Sequence, residues 1–389
     1  MKIAILTQPL RFNYGGLLQN YALQQILIRD GHNVETIWYE TQCDTRFRMW
    51  KYRCKMWCKH LLFPQKYSLL KYTPTDYEWS VICRNTEKFI NKYIIRSQHP
   101  VLVNSLEKYS VEKNFDVYIA GSDQCWRPKY NGGALLPAMF FDFVSQTENV
   151  KRIAYAASFG TEEWEMTPEM TSRCAALVKK FDFVSVREED GVGLCSEFFG
   201  VKAKHVLDPT MLLTKEDYLQ LVKAENEPES DGNLFTYILD PNAEKMAFVS
   251  RMAELNDLEP FSVMPEYQYE MRTRHILKHY LNDCAYPRVT TWLRAFADAK
   301  MIIVDSFHGM VFSIIFNKPF WVIGNRSRGL SRFTSLLNMF GLQDRLIDEN
   351  ELESVDKDRL LKDDIDWTRV NNILSNERSE CLALLRDVI

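Results

Sequence analysis

No stretch of this 389-residue sequence is long and clean enough in apolar residues to span a bilayer. The most apolar segment, Met301 to Gly324, is broken by Asp305, His308, Asn317 and Lys318, whereas a spanning helix needs about 20 consecutive apolar residues. The start of the chain turns polar at Gln8-Pro9, too early for the apolar region of a secretory leader. The nine cysteines are odd in number and scattered without a repeated short spacing, which excludes a secreted disulfide framework and fits free thiols in a reducing compartment. Charge of one sign is also missing. With 48 basic and 52 acidic residues the net charge is −4, so there is no bulk attraction to nucleic acid. These absences together predict a soluble, cytoplasmic protein.

Several catalytic signatures are lacking as well. There is no GxGxxG, so no dinucleotide fingerprint follows, and no GxSxG nucleophile elbow for a Ser–His–Asp hydrolase. Cys54 and Cys58 are spaced i,i+4 with Cys43 and His60 nearby, but the second tight ligand pair of a structural zinc site is missing. No metal is expected. There is no internal repeat and no low-complexity tract. What is present is a globular composition, 46% hydrophobic and 26% charged, on a chain long enough for two cores of roughly 150–200 residues each.

The pattern along the chain is alternating β and α. Lys2–Thr7 reads as a buried strand, Leu17–Asp30 as a helix ending at Gly31, and Val34–Trp38 as a second strand, which makes a βαβ unit. After a helical, aromatic and basic insert at about 41–100, strands are expected at Phe115–Ala120, Arg152–Ala156, Phe181–Val186 and His205–Leu207, with helices at Pro168–Lys180, Asp190–Phe199 and from Thr214. Residues 225–233 gather acidic residues, Pro and Gly and read as a linker. The alternation restarts with strands at Leu234–Leu239, Phe261–Met264, Met301–Val304 and Pro319–Ile323, and helices at Ala243–Asn256, Thr290–Ala299 and Gly309–Phe316. The domains expected are therefore 1–224 and 234–350, followed by a helical segment at 351–389. A cleft between two such domains is the default binding site, because ligands sit beyond the carboxyl ends of parallel strands.

Several residues fall at those strand ends. His308, in Asp305-Ser306-Phe307-His308-Gly309, lies where a strand passes into a helix. A helix N-terminus favours anions, and an imidazole there can give or take a proton near neutral pH; a core histidine or an N-cap spacer fits the residue types equally. Arg187, in Ser185-Val186-Arg187-Glu188, leaves a strand in the first half and suits carboxylate or phosphate, or else a surface salt bridge to Glu188, Glu189 or Asp190. Gly121-Ser122-Asp123-Gln124-Cys125-Trp126 offers hydroxyl, carboxylate and amide groups beside an aromatic platform, which suits a sugar. Asn13-Tyr14-Gly15-Gly16 opens the first helix, either as a close approach for a ligand or as a tight turn. Arg326, Arg328, Arg332 and Arg345 lie in and after a loop, with Arg332 at the start of an apolar helix, Leu336–Phe340, as a phosphate contact or part of a solvated face.

These motifs, with Leu18-Gln19-Asn20-Tyr21-Ala22-Leu23, Ala154-Tyr155-Ala156-Ala157-Ser158-Phe159-Gly160 and Val206-Leu207-Asp208-Pro209-Thr210, occur in an order that resembles the polysaccharide pyruvyl transferase family. The resemblance runs from Lys2 to about Arg345, leaving out the basic insert and the C-terminal helix. It implies two Rossmann-like domains facing a cleft, as in GT-B glycosyltransferases. It also implies phosphoenolpyruvate as donor and no cofactor, with a sugar on a lipid or nucleotide carrier as acceptor for capsule, exopolysaccharide or cell-wall glycan. The family's catalytic histidine falls on His308 and its donor-binding arginine on Arg187. Ser306, Phe307 and Gly309 are then expected around the donor, and Asn13, Tyr14, Gly15, Gly16, Ser122, Asp123 and Gln124 around the acceptor. Many members carry Arg-Leu where this chain has Ser306-Phe307, so a second cation on the donor must come from Arg328 or Arg332.

Two other readings share the architecture: a GT-B glycosyltransferase using a nucleotide sugar, and a non-catalytic sugar-binding protein. One feature lies outside all three. Phe47, Trp50, Cys54, Trp57 and Leu61 form a helical apolar stripe, and Arg48, Lys51, Lys55 and Lys59 repeat on a neighbouring face. Such a helix suits an anionic membrane surface, or packs its aromatics on the first domain.

Overall fold

The computed structural model describes residues 1–40, 74–144, 149–268, 273–324, 329–361 and 365–389. The striped helix expected around Phe47–Leu61, with Arg48, Lys51, Lys55 and Lys59, lies outside the described residues, as do Arg326 and Arg328.

Among the described residues, eleven strands form two all-parallel sheets. The first contains β1 (Lys2–Leu6), β2 (Asn33–Thr36), β3 (Val117–Ala120), β4 (Lys151–Ala157), β5 (Phe183–Val186) and β6 (Lys204–His205), in the spatial order β2-β1-β3-β4-β5-β6. The second contains β7 (Leu234–Tyr237), β8 (Pro260–Ser262), β9 (Met301–Val304), β10 (Phe320–Gly324) and β11 (Leu346–Asp348), ordered β8-β7-β9-β10-β11. Both sheets thus reverse direction between their first strand and the next strand on its other side, at β1/β3 and at β7/β9. This is the doubly wound, Rossmann-like arrangement in each half. The central strands are buried along nearly their whole length, as helices on both faces of a parallel sheet require.

Local chemistry explains the helices that matter for the site. Helix α1 (Tyr14–Arg29) is capped by the Asn13 side chain, which accepts from Gly16 N. Its first eleven residues are all buried, and two of its buried amide nitrogens find partners: Gln19 Nε2 donates to Thr7 Oγ1 (2.9 Å) and Gln24 Nε2 to Thr36 Oγ1 (2.7 Å). Helix α2 (Glu189–Leu194) is shorter than the Asp190–Phe199 helix expected, because the chain widens into a π turn at Cys195–Phe199. Helices α3 (Lys215–Ala224), α4 (Ala243–Asn256) and α5 (Val289–Asp298) follow, with α3 held by a capping box of Thr214 and Asp217. Helix α6 (Phe307–Ile315) begins two residues before the expected Gly309, because Ser306 serves as its cap and accepts from Gly309 N. Helix α7 (Ser331–Phe340) and the long α8 (Trp367–Val388) complete the set.

The two halves share one core. Tyr14 stacks on Trp292 at 5.5 Å, Trp292 meets Tyr237 at 5.3 Å and Phe312 at 4.9 Å, and Phe312 meets Tyr218 at 4.9 Å. The same hydrophobic cluster runs from Ile3 and Ile5 of the first sheet to Ile302 and Val304 of the second. Helix α8 then returns to the first domain. Arg378 donates to the carbonyls of Met211 (2.7 Å) and Leu213 (3.1 Å), and Arg386 pairs with Asp30 through two contacts of 2.9 and 3.0 Å.

A shared aromatic core couples the stabilities of the two domains. Trp292→Ala should cost about 3–5 kcal/mol, and calorimetry of the variant should still show one transition. Two separated transitions in the wild type would show that the domains melt independently.

Candidate active site

The loops that follow β1, β3, β7 and β9 converge, because each sheet's reversal point opens toward the other. They line a small cavity of about 90 Å³. Its wall contains Asn13, Asp123 and Gln124 from the first domain, Leu239 and Ser306, Phe307 and His308 from the second, and Arg332 from the start of α7.

The centre of the arrangement is a carboxylate. Asp208 follows β6 and is 1% exposed. Its Oδ2 accepts from Ser122 Oγ (2.8 Å) and Arg187 Nη1 (2.8 Å), and its Oδ1 accepts from Thr210 N (2.9 Å) and Thr210 Oγ1 (2.6 Å). Burial pushes this carboxyl up, but His308, Arg187 and Thr210 outweigh it and hold it well below the usual carboxylate range. His308 Nε2, which is buried and makes no hydrogen bond among the described residues, stands 3.6 Å from Asp208 Oδ2. The distance is long for a hydrogen bond and suited to an ion pair when the imidazole is protonated.

The other side of the imidazole rests on the first domain. A Cβ placed on Gly15 would lie 2.0 Å from His308 Nδ1, so only a glycine lets α1 approach this closely. The histidine is therefore held by groups from a domain other than its own: Asp208 near Nε2 and Gly15 beside Nδ1.

Two guanidinium groups lie against Phe307. Arg187 Cζ is 4.3 Å from the ring centroid and Arg332 Cζ 6.0 Å. Arg187 is 3% exposed and forms no surface salt bridge. Burial opposes its charge, and Asp208, Glu188 and Asp123 more than offset that. Arg332 differs: burial, then the neighbouring Arg187, bring its pKa down to about 10. A cation in such surroundings gains from an anion brought beside it. Asp123 faces the same space with its backbone in the left-handed region (φ 73°), its Oδ2 accepting from Asn13 Nδ2 at 3.3 Å and its Oδ1 3.8 Å from Arg187 Nη2.

The expected residues separate into two groups. Asn13, Asp123, Gln124, Ser306, Phe307, His308 and Arg332 line the cavity. Tyr14 does not: it is fully buried between the domains, with its hydroxyl donating to Pro287 O (3.0 Å). Ser122 is spent on Asp208, Gly16 donates to the Asn13 cap, and Gly309 is packed against Val304 and capped by Ser306. Arg187 stands behind the wall, over Phe307. Trp126, expected as an aromatic platform, is core: it is fully buried and stacks on Phe140 at 4.7 Å. Arg345 is buried near Trp321 at a different face of the second sheet.

Residues that sequence reasoning left without a role are Asp208, Tyr130, Tyr237 and Asp305. Asp305 carries a detectable signal, a carboxylate directly beyond a parallel strand, whereas Asp208 is separated from β6 by Val206 and Leu207. Asp305 accepts from Leu239 N (2.6 Å), Asp240 N (3.1 Å) and the fully buried Lys245 Nζ (2.9 Å), which fastens the β7 and β9 loops together. Among the described residues no group of three His, Cys, Asp or Glu side chains could hold a metal ion, and no helix is long and apolar enough to cross a membrane.

The sequence profile of the polysaccharide pyruvyl transferase family matches residues 13–327. No curated protein matches the sequence. Solved structures with a similar chain path include UDP-GlcNAc 2-epimerase from Neisseria meningitidis bound to UDP-GlcNAc, 10% identical, covering 100% of this chain and 99% of its own, with a TM-score of 0.48. UDP-GlcNAc 2-epimerase from Methanocaldococcus jannaschii is 14% identical, with 97% and 100% covered and a TM-score of 0.49. An O-GlcNAc transferase mutant from Thermobaculum terrenum is 11% identical, with 100% and 66% covered and a TM-score of 0.42.

Two outcomes follow from this geometry. Gly15→Ala forces a methyl group into the imidazole and should cost roughly 1–3 kcal/mol in denaturant unfolding, while shifting the His308 ring resonances in NMR. Gly16→Ala, whose new methyl group comes nearest the Asn13 side chain at 3.2 Å, should be milder. Because the folded-state pKa of Asp208 is depressed, its contribution to stability is present above the unfolded value of about 3.9 and lost as pH falls below it. Unfolding measured at a series of pH values from about 5 downward should therefore fall off less steeply in Asp208→Asn than in wild type. Equal slopes would mean that the Asp208 carboxyl titrates alike in the folded and unfolded protein.

Proposed function

The chain belongs to the polysaccharide pyruvyl transferase family, and from that premise we propose that it transfers pyruvyl from phosphoenolpyruvate to two hydroxyls of a sugar, as a ketal, releasing phosphate. The acceptor in this reading is a lipid-linked or nucleotide-linked precursor of a bacterial capsule, exopolysaccharide or cell-wall glycan. The observation that carries the reading is the meeting of His308 and Arg332 at one small cavity, with Arg187 behind its wall across Phe307. A proton donor and two cations at a site of this size suit a compact, multiply charged enol phosphate. Sites for drug-sized ligands are larger, at about 300–1,000 Å³.

The roles follow from where the charges stand. Phosphoenolpyruvate becomes electrophilic at C2 when its methylene carbon takes a proton, and His308 as imidazolium supplies it. Asp208 near Nε2 sets the orientation of the ring. Arg332 faces the cavity and contacts the donor's phosphate or carboxylate directly. Arg187, held by Asp208 behind Phe307, adds positive potential from behind the wall. A first sugar hydroxyl then bonds to C2 and gives up its proton. The second hydroxyl bonds to the same carbon as the C–O bond to phosphate breaks. One of the two hydroxyl protons restores His308 and the other leaves with phosphate. Asp123, which lines the cavity, is placed to accept from the attacking hydroxyl.

Phosphate release from phosphoenolpyruvate, with mass spectrometry of candidate lipid-linked and nucleotide-linked sugars, tests the proposal. A mass gain of one pyruvyl ketal is expected. Nucleotide release from a nucleotide sugar instead would favour a glycosyltransferase. His308→Ala should lower kcat by about 100-fold or more. Arg332→Ala should weaken phosphoenolpyruvate binding by roughly tenfold or more, from the loss of a contact to a charged group. Donor binding unchanged in calorimetry would remove Arg332 from the donor site.

A further inference from the structure

The cavity has four aromatic residues in its wall, and three are unavailable to a ligand's flat face. Tyr237, Phe307 and Phe333 are 5%, 3% and 1% exposed, whereas Tyr130 is 47% exposed. Tyr130 is therefore the aromatic ring that a molecule entering the cavity from solvent meets first. Trp126, four residues earlier in the same loop, turns inward and takes no part.

An exposed tyrosine at a rim is ordinary, and what distinguishes this one is how firmly it is held. Arg127 is 5% exposed, and its guanidinium lies 5.7 Å from the Tyr130 ring centroid. That guanidinium is fixed in turn: Nε and Nη2 donate to the two oxygens of Glu165 (2.9 and 2.8 Å), and Nη1 donates to Gln124 Oε1 (2.9 Å). The backbone N–H groups of Tyr130 and Asn131 both donate to Arg127 O, at 3.2 and 3.1 Å. The Asn131 amide, fully buried, donates to Gln124 O (3.1 Å) and Cys125 O (2.7 Å). The loop closes on itself and on Gln124, a cavity residue, which sets the position of the Tyr130 backbone at the rim.

We propose that Tyr130 is the platform on which the acceptor stacks. A pyranose lies with its apolar C–H face on this ring while a pair of its hydroxyls turns toward Asp123 and His308. The physical basis is that one face of a pyranose carries mainly C–H groups and its rim carries hydroxyls. An aromatic ring at the mouth and polar groups within satisfy both at once. The inference rests on the reading that this cavity receives a sugar. It goes beyond it in assigning a specificity-determining residue and a class of acceptor, a pyranose with adjacent ring hydrogens on one face.

Saturation-transfer difference NMR on the full chain provides the test, with the methyl pyranosides of galactose, glucose, mannose and N-acetylmannosamine as probes. At least one probe should receive saturation, strongest on ring C–H protons of a single face. Tyr130→Ala should raise that probe's Kd roughly three- to tenfold. Tyr130→Phe and Tyr130→Trp should retain binding, and the Kd for phosphoenolpyruvate should stay unchanged in all three variants. Absence of saturation on every probe, or an unchanged Kd in Tyr130→Ala, overturns the inference. Read beside the phosphate-release assay, sugar binding that depends on Tyr130 without any turnover of phosphoenolpyruvate would sink the donor reading and leave this inference standing.

Discussion

A fully buried carboxylate cannot stay ionised without several partners, and the partners of Asp208 define the site. Ser122, Arg187 and Thr210 hold it from the first domain, and His308 reaches it from the second. Taking a carboxylate and a guanidinium out of water costs several kcal/mol per ion (order of magnitude), offset only by close pairing and further hydrogen bonds. Every residue that satisfies Asp208 is consequently fixed in place. The imidazole in particular has its Nε2 turned toward the carboxylate and its Nδ1 beside Gly15. The interdomain contact and the proposed catalytic geometry are the same contact.

That dependence explains why the two domains share an aromatic core. Domains in one chain commonly meet through modest, polar interfaces and move relative to each other. Here Tyr14, Trp292, Tyr237, Phe312 and Tyr218 join the halves apolar side to apolar side, and α8 fastens the end of the chain back onto the first domain. A histidine that depends on Gly15 and Asp208 of the other domain needs such a rigid union. A shift of about 1 Å in catalytic placement can cost on the order of 100-fold in rate. The topology supplies the rest, since both reversal points, β1/β3 and β7/β9, send their loops into one cavity.

Much of the fold was legible because alternation and capping are local. Helix Ala243–Asn256 and strand Met301–Val304 have the bounds expected from apolar periodicity. Errors fell where a neighbouring element decides the outcome. Helix α6 starts early because the Ser306 hydroxyl turns back onto Gly309 N, and the strand expected through Leu207 stops at His205. The basic stripe at Arg48, Lys51, Lys55 and Lys59 lies outside the described residues.

For the site, the sequence by itself determined which residues stand at the ends of parallel strands: Asp123, Arg187 and His308 among them. Strand ends carry the loops that face a ligand, so position along the chain was enough for that. Only the tertiary structure decided which way each side chain turns. Tyr14 and Trp126 go inward and Tyr130 goes outward, Arg187 stands behind Phe307 rather than at the surface, and Asp208 joins both domains. Those choices depend on which surface covers each residue and which charge lies opposite it. Both are set by chain segments hundreds of residues apart, and no local pattern records them.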